Sequence, residues 1–248
     1  MNKSIPRVLV AAPIIYSLNY KNYTIPQFFE TIKRLTYKNK KIYLKIETKN
    51  GEYKSFLKKI PSEFETSKQK KEKTVIESIV KTRNAFRKKT LTEGYDYLLL
   101  IEQDILPPLD IIEKLLANKK EICSALYFNI KRDGNRADCL DGYNPMAWNY
   151  NTTTNGELIE KSIPFEELFP GRLIQVAGVG LGCILISRKV LEKIKFRFIK
   201  NEKWFEEFYF AEDCKKNKIP IYLDTQIVCR HYTRRMLDPQ PETNKITD

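Results

Sequence analysis

One histidine, five cysteines and no apolar run long enough to span a bilayer mark this 248-residue sequence by what it lacks. An odd number of cysteines without paired CxxC spacing argues against a secreted disulfide framework and against a structural zinc site, so a reducing cytoplasm is the expected setting. Cys123 in EICSALYF and Cys183 in GCILIS fall in apolar runs and read as inert core thiols. Basic residues ahead of the apolar run in MNKSIPRVLVAAPIIY imitate a secretory leader, but Pro13 interrupts the run and no small-residue cleavage site follows. No other segment approaches the roughly 20 apolar residues of a membrane helix, and a soluble chain is expected. Acidic residues are also short: 31 Asp and Glu stand against 44 Lys and Arg, a formal net charge of +13. That excess favours anionic partners such as nucleotides, nucleic acid or acidic headgroups, although runs such as Lys38 to Lys41 and KQKKEK read as solvated surface.

A hydrophobic content of 42% over this length can fill one large α/β core. Arg7 to Ala12 reads as a buried strand and Pro26 to Leu35 as a helix. KIYLKIE reads as a strand that KNGE turns back into YKSFLKKI as a hairpin. In TVIE, Glu77 stands three residues after a Thr74 cap, which predicts a long helix with Val75, Ile76, Ile79, Val80 and Phe86 on one face. Tyr95 to Ile101 is the next strand, Leu109 to Leu116 a helix and Glu121 to Phe128 a strand, the alternation of a mostly parallel sheet. From 129 to 168 the sequence is rich in Asn, Asp, Gly, Thr and Pro, and a long functional loop is expected. RLIQVAGVGLGCILISRKVLEKI then predicts a strand, a glycine-rich turn, a second strand and a short helix. Trp204 to Asn217 follows as a helix, with extended pieces at Ile219 to Leu223 and Ile227 to His231. One domain over 1–235 with a loose tail over 236–248 is the resulting organisation.

The stretch LLLIEQDILPP ends a doubly buried strand in two carboxylates, Glu102 and Asp104. Ligands of open α/β sheets bind beyond the carboxyl ends of strands, and residues two apart in an extended chain share a side. Two hard oxygen donors there make half of a divalent-cation site. Arg83 lies within the apolar stripe of the predicted long helix, where a guanidinium needs an acidic partner or an anionic ligand. His231, close after the strand-like IVCR, gains meaning only beside such groups.

These residues carry a family resemblance. YDYLLLIEQDILPP resembles the strand and acidic metal motif of nucleotide-sugar-dependent GT-A fold glycosyltransferases, family 2-like, with Glu-x-Asp in place of Asp-x-Asp. KTRNAF resembles the Arg-Asn segment before that strand, VLVAAP the first strand and its base-contacting loop, VAGVGLGCILIS the glycine segment beside sugar and acceptor, and IPIYLDTQIVCRHY the last strand with its metal-binding His. The resemblance implies a single GT-A (Rossmann-like) α/β domain with a mostly parallel sheet. It implies nucleotide-sugar contacts from Ala11, Ala12, Pro13, Arg83, Asn84, Glu102, Gln103, Asp104, Gly178, Gly180 and Gly182, with Gln103 turned away as a spacer between its neighbours. Mn²⁺ or Mg²⁺ is implied on Asp104, Glu102 and His231. The catalytic base comes from an acidic pair about eleven residues before a glycine that corresponds here to Lys218. That register selects Glu206 and Glu207, and the literal Glu-Asp match selects Glu212 and Asp213.

The function expected is transfer of a hexosyl group from a UDP- or GDP-linked donor to an acceptor hydroxyl, with inversion. No specific nucleic acid is expected as a partner, and peripheral membrane contact stays compatible with the basic surface. A sugar nucleotidyltransferase is the nearest alternative, but AAPIIYSLNY lacks the glycine-rich signature of that class. A noncatalytic protein binding nucleotides or nucleic acid remains open on charge and on 12% aromatic content.

Overall fold

Strand β1 (Val8–Tyr16) is buried on both faces over Val8 to Ala12, as its unbroken apolar run requires of a central strand. The computed structural model describes residues 5–16, 24–48, 52–70, 72–130, 143–152, 158–202 and 204–232. The tail expected over 236–248, and 131–142 and 153–157 of the long polar segment, lie outside the described residues. After β1 come α1 (Thr24–Lys33), β2 (Lys40–Thr48), α2 (Tyr53–Leu57), β3 (Glu65–Lys68), α3 (Val75–Thr92) and β4 (Tyr97–Ile101). The short β5 (Ile105–Leu106), α4 (Ile111–Ala117), β6 (Ile122–Leu126) and β7 (Phe128–Ile130) follow. The polar segment contributes β8 (Tyr143–Pro145), β9 (Ala147–Thr152), β10 (Leu158–Ser162) and α5 (Phe165–Leu168). The chain closes with β11 (Leu173–Val176), β12 (Gly178–Val179), β13 (Cys183–Ser187), α6 (Arg188–Lys193), α7 (Glu206–Lys216), β14 (Ile221–Val228) and β15 (Arg230–His231).

Eight strands form one sheet in the order β11-β14-β6-β13-β4-β1-β2-β3. Pairings within the two blocks β4-β1-β2-β3 and β14-β6 are parallel, whereas β13 runs against both of its neighbours and β11 against β14. The two-residue period divides the core cleanly. Val8, Val10, Leu99 and Ile101 face the side covered by α1 and α4, with Phe28, Ile32, Ile111 and Leu115. Leu9, Ala11, Leu98 and Leu100 face Phe86, Leu191 and Phe210, supplied by α3, α6 and α7. Helix α3 starts at the predicted capping box, with the Glu77 amide donating to Thr74 Oγ1 and the Thr74 amide donating to the Glu77 carboxylate. No helix among the described residues is long and apolar enough to cross a membrane.

Three expectations change. YKSFL is a helix, α2, rather than the return strand of a hairpin, because β2 already has parallel partners on both sides. Its Phe56 instead stacks on Tyr16 with ring centroids 4.2 Å apart. Within the predicted loop, β9 pairs with β10 and β12 in a small sheet of its own, held by the buried Trp148. Val75 stands out of the α3 stripe and is 71% exposed, while the buried face carries Ser78, Thr82, Arg83 and Thr90 among its apolar residues.

Candidate active site

The alternation along β4 decides where its terminal carboxylate goes. Leu98 and Leu100 face α3 and α7, so Glu102, two residues on, reaches the same side. There Arg83 of α3, 4% exposed, donates Nη2–H to Glu102 Oε1 at 2.8 Å and Nη1–H to Glu206 Oε1 of α7. Burial opposes the charge on Arg83, yet Glu206 and Glu102 hold its pKa above the ordinary value. The guanidinium is thus the buried clamp between two carboxylates that a cation in an apolar stripe demands.

Asp104 parts from Glu102 because the chain turns between them: the Ile105 amide donates to the Glu102 carbonyl at 3.0 Å, ending the extended conformation that would have aligned the two side chains. Beyond the turn, β5 pairs with β15, setting His231 opposite Ile105, and the Tyr232 amide donates to the Asp104 carbonyl at 2.8 Å. His231 Nε2 lies 3.6 Å from Asp104 Oδ2. Its other nitrogen, Nδ1, is 2.7 Å from the Phe128 carbonyl, which can only accept, so Nδ1 carries a proton there and Nε2 is the nitrogen on the Asp104 side.

Gln103 is buried and has a bonding role of its own. Its Oε1 accepts from the Ile15 amide at 2.8 Å, tying the end of β4 to the end of β1. Ala11 and Ala12 are sealed inside the sheet, while Pro13 lines a cavity of about 110 Å³ with Ile15, Lys45, Glu47, Ser78 and Thr82, the residue before Arg83. Asn84 faces another way, its amide exchanging hydrogen bonds with the Phe196 backbone at 2.7 and 3.2 Å.

The two acidic pairs of α7 are separated by environment. Glu212 and Asp213 are clasped by Arg197, at 2.5 and 2.7 Å, on an outward face. Glu206 is buried beside Arg83, with Oε2 left without a hydrogen-bond partner. Glu207 is half-buried, and burial together with the neighbouring Glu206 pushes its carboxyl up to about 7. Lys218 has φ +56°, the left-handed conformation that favours glycine, at the position from which the register to Glu206 and Glu207 was counted.

The glycines make room for aromatic side chains. A Cβ on Gly178 would lie 2.2 Å from the Trp148 ring, and Cβ atoms on Gly180 and Gly182 would lie 2.2 and 2.7 Å from the Tyr127 hydroxyl. That hydroxyl accepts from the Gly182 amide at 2.9 Å, and the Tyr127 ring meets His231 edge to face at 5.7 Å. Tyr127 is therefore a wall of the site that motif matching misses; its signal is a polar-tipped aromatic at the end of the buried run ICSAL. Gly180→Ala is expected to cost about 1–3 kcal/mol of stability in urea denaturation. Tyr127→Phe should recover part of that loss by removing the hydroxyl, and an undiminished cost in the double variant would exclude this packing account.

The end of the sheet thus gathers Arg83, Glu102, Asp104, Glu206, Glu207 and His231, leaving Asn84, Glu212 and Asp213 outside. Arg83 and His231 are the cationic or ionisable partners that the described residues place against these carboxylates. Burial, against Arg83 and with Asp104 and Glu206, raises the Glu102 carboxyl as well. No cluster of three or more His, Cys, Asp or Glu side chains converges as a self-contained metal cage among the described residues. Asp104 and His231 offer one oxygen and one imidazole nitrogen, donor types that Mn²⁺ or Mg²⁺ would accept, without enclosing an ion by themselves.

This architecture is a GT-A-like, Rossmann-like α/β fold, as found in glycosyltransferases. GalNAc-T7, solved with UDP, GalNAc and Mn²⁺, superposes with a TM-score of 0.63 at 12% identity, over 94% of this chain and 45% of that one. The chain therefore spans less than half of GalNAc-T7. A197 from STIV aligns over 92% of this chain and 86% of its own, at 18% identity and a TM-score of 0.49. No protein-family model and no curated protein sequence matches the chain.

Proposed function

We propose that the protein is a metal-dependent glycosyltransferase that moves a hexosyl group from a UDP- or GDP-linked donor to an acceptor hydroxyl, with inversion. The observation that carries this reading is the meeting of the Asp104–His231 pair with a half-buried carboxylate, Glu207, that titrates near neutrality at the same end of the sheet. The fold likeness to GalNAc-T7 is in keeping with it.

The nucleoside half of the donor is assigned to the side of Pro13, Lys45 and Glu47, between the ends of β1 and β2 and the start of α3, where the cavity of about 110 Å³ has to widen to admit it. A divalent cation held by Asp104 and His231 would supply positive charge to the departing diphosphate. Arg83 offsets Glu102 and Glu206, which keeps Glu102 fixed at the rim of the site. Glu207, ionised, takes the proton of the acceptor hydroxyl as that oxygen attacks the anomeric carbon.

Because a base acts only when deprotonated, nucleotide release from the donor should rise with pH through an apparent pKa near 7, set by Glu207. Glu207→Gln is expected to lower the rate by roughly 10²–10⁴-fold and to leave nucleotide-induced stabilisation intact. Asp213→Asn should leave the rate unchanged; the opposite pattern would move the base to the outer pair. The class itself is tested by thermal shift with UDP, GDP and their sugars, with and without Mn²⁺. Stabilisation by one nucleotide that EDTA removes supports the reading. Binding of nucleic acid with steep salt dependence and no response to EDTA would replace it.

A further inference from the structure

Trp204 and Phe205 stand immediately before the Glu206–Glu207 pair and are 49% and 57% exposed, an unusual place to leave two large rings in water. Trp204 meets Phe208 with ring centroids 4.9 Å apart, and Phe208 meets Trp148 at 4.6 Å. Since Trp148 lies against Gly178, this aromatic row runs from the glycine segment, past the residue adjoining Glu207, to the surface.

At its outer end is a pocket of about 320 Å³, within the range of small-ligand sites. Trp204 and Phe208 form its apolar wall, and Glu160, Glu202 and Glu212 supply its polar groups. Glu212 is held by Arg197 and Lys216, and Glu202 accepts from the Tyr209 hydroxyl. Glu160 has no cationic partner among the described residues, and burial raises its carboxyl. Among the described residues no Lys or Arg side chain lines the pocket.

We infer that this pocket is a pyranose-binding subsite, and that the acceptor is a neutral oligosaccharide with one ring resting on Trp204 and Phe208 while a neighbouring ring presents its hydroxyl to Glu207. The inference rests on the transferase reading for the second half of that statement and deepens it by naming the acceptor class. Its chemistry is that of a polyol. Aromatic faces match the C–H face of a pyranose, and carboxylates accept strong hydrogen bonds from its hydroxyls. Glu160, without a cationic partner among the described residues, disfavours phosphate, sulfate and uronate beside it, so lipid phosphates and acidic glycans are the poorer occupants. Phe208 follows Glu207 directly in α7, so the aromatic wall and the proposed base belong to the same turn of one helix.

The test is calorimetric titration of the full chain with maltose, cellobiose, lactose and mannobiose, alongside a heparin disaccharide, phosphatidylglycerol vesicles and a Ser/Thr-rich peptide. At least one neutral disaccharide is expected to bind with a Kd on the order of 1 mM. Trp204→Ala should weaken that binding about tenfold or more, Trp204→Phe should retain most of it, and Glu160→Gln should reduce it. Stabilisation by UDP or GDP with Mn²⁺ should be the same in all three variants. Failure of every neutral disaccharide, equal binding to Trp204→Ala, or preferred binding of the acidic, lipid or peptide probe overturns the subsite. Disaccharide binding by a chain that binds no nucleotide would support the sugar pocket and overturn the transferase reading.

Discussion

Asp104→Ala is expected to abolish Mn²⁺-dependent stabilisation by nucleotide and to lower turnover by roughly 10²–10⁴-fold, the equivalent of the several kcal/mol that a cation contributes at a departing diphosphate. The fold should survive. The Asp104 carbonyl, not its side chain, accepts from the Tyr232 amide, and that backbone contact is kept by alanine. Removing one of four crowded carboxylates also relieves repulsion at Glu102, whose carboxyl Asp104 helps to raise. Without nucleotide, the variant should keep a cooperative melt, the lost contact with His231 being set against the relieved repulsion at Glu102, so that the change in melting is small beside the loss of activity. Thermal shift with Mn²⁺ or EDTA, together with nucleotide-release assays, reads both effects. Unimpaired metal-dependent binding in the variant would remove Asp104 from the metal site.

Arg83→Met is expected to cost about 3–5 kcal/mol of stability at pH 8, because it strands the buried Glu206 without its partner. Glu102 adds less, since its side chain is 37% exposed and water screens it. The deficit should shrink as pH falls, because the stranded carboxylates can then fold protonated. The parent follows the same direction on a smaller scale. Glu207 is raised from its ordinary 4.5 to about 7, so its contribution to stability is full below pH 4.5 and is lost as pH rises through 7. Urea denaturation at pH 5 and pH 8 measures the difference, and Arg83→Met/Glu206→Gln should recover most of the loss at pH 8. A deficit that does not depend on pH would mean that Arg83 matters through its packing alone.

What could be read from the chain follows the range of the interactions involved. The buried strands at Val8 and Leu98 and the Thr74–Glu77 cap depend on neighbours within a few residues, and they stand where local pattern places them. Arg83 in an apolar stripe announced that it needed a partner, but Glu206 lies 123 residues away and no local signal names it. The extended run on which the alignment of Glu102 and Asp104 depends ends between them for a similar reason. Two-residue alternation holds only while the strand continues, and pairing of β5 with a strand from the far end of the fold bends the chain between them. The small sheet around β9 was hidden because its residues are polar and its one large anchor, Trp148, gains meaning only against Gly178. Register carries further than local pattern here: counting back from Lys218 leads to Glu206, which the fold buries beside Arg83, and to the half-buried Glu207 next to it.

The antiparallel placement of β13 has a consequence for how the chain comes together during synthesis. The block from β1 to β4 can pair as soon as residue 101 has emerged, but β6 has no neighbour until β13 and β14 are made, since those are its two partners in the sheet. Until then both edges of β6, an apolar strand, are open to pairing with other chains. His231 arrives later still and meets Asp104 only when β15 closes on β5. A nascent chain therefore holds Asp104 and His231 apart to the end, and a slow step that docks β13 and β14 onto an already folded amino-terminal half is the expected signature in refolding kinetics.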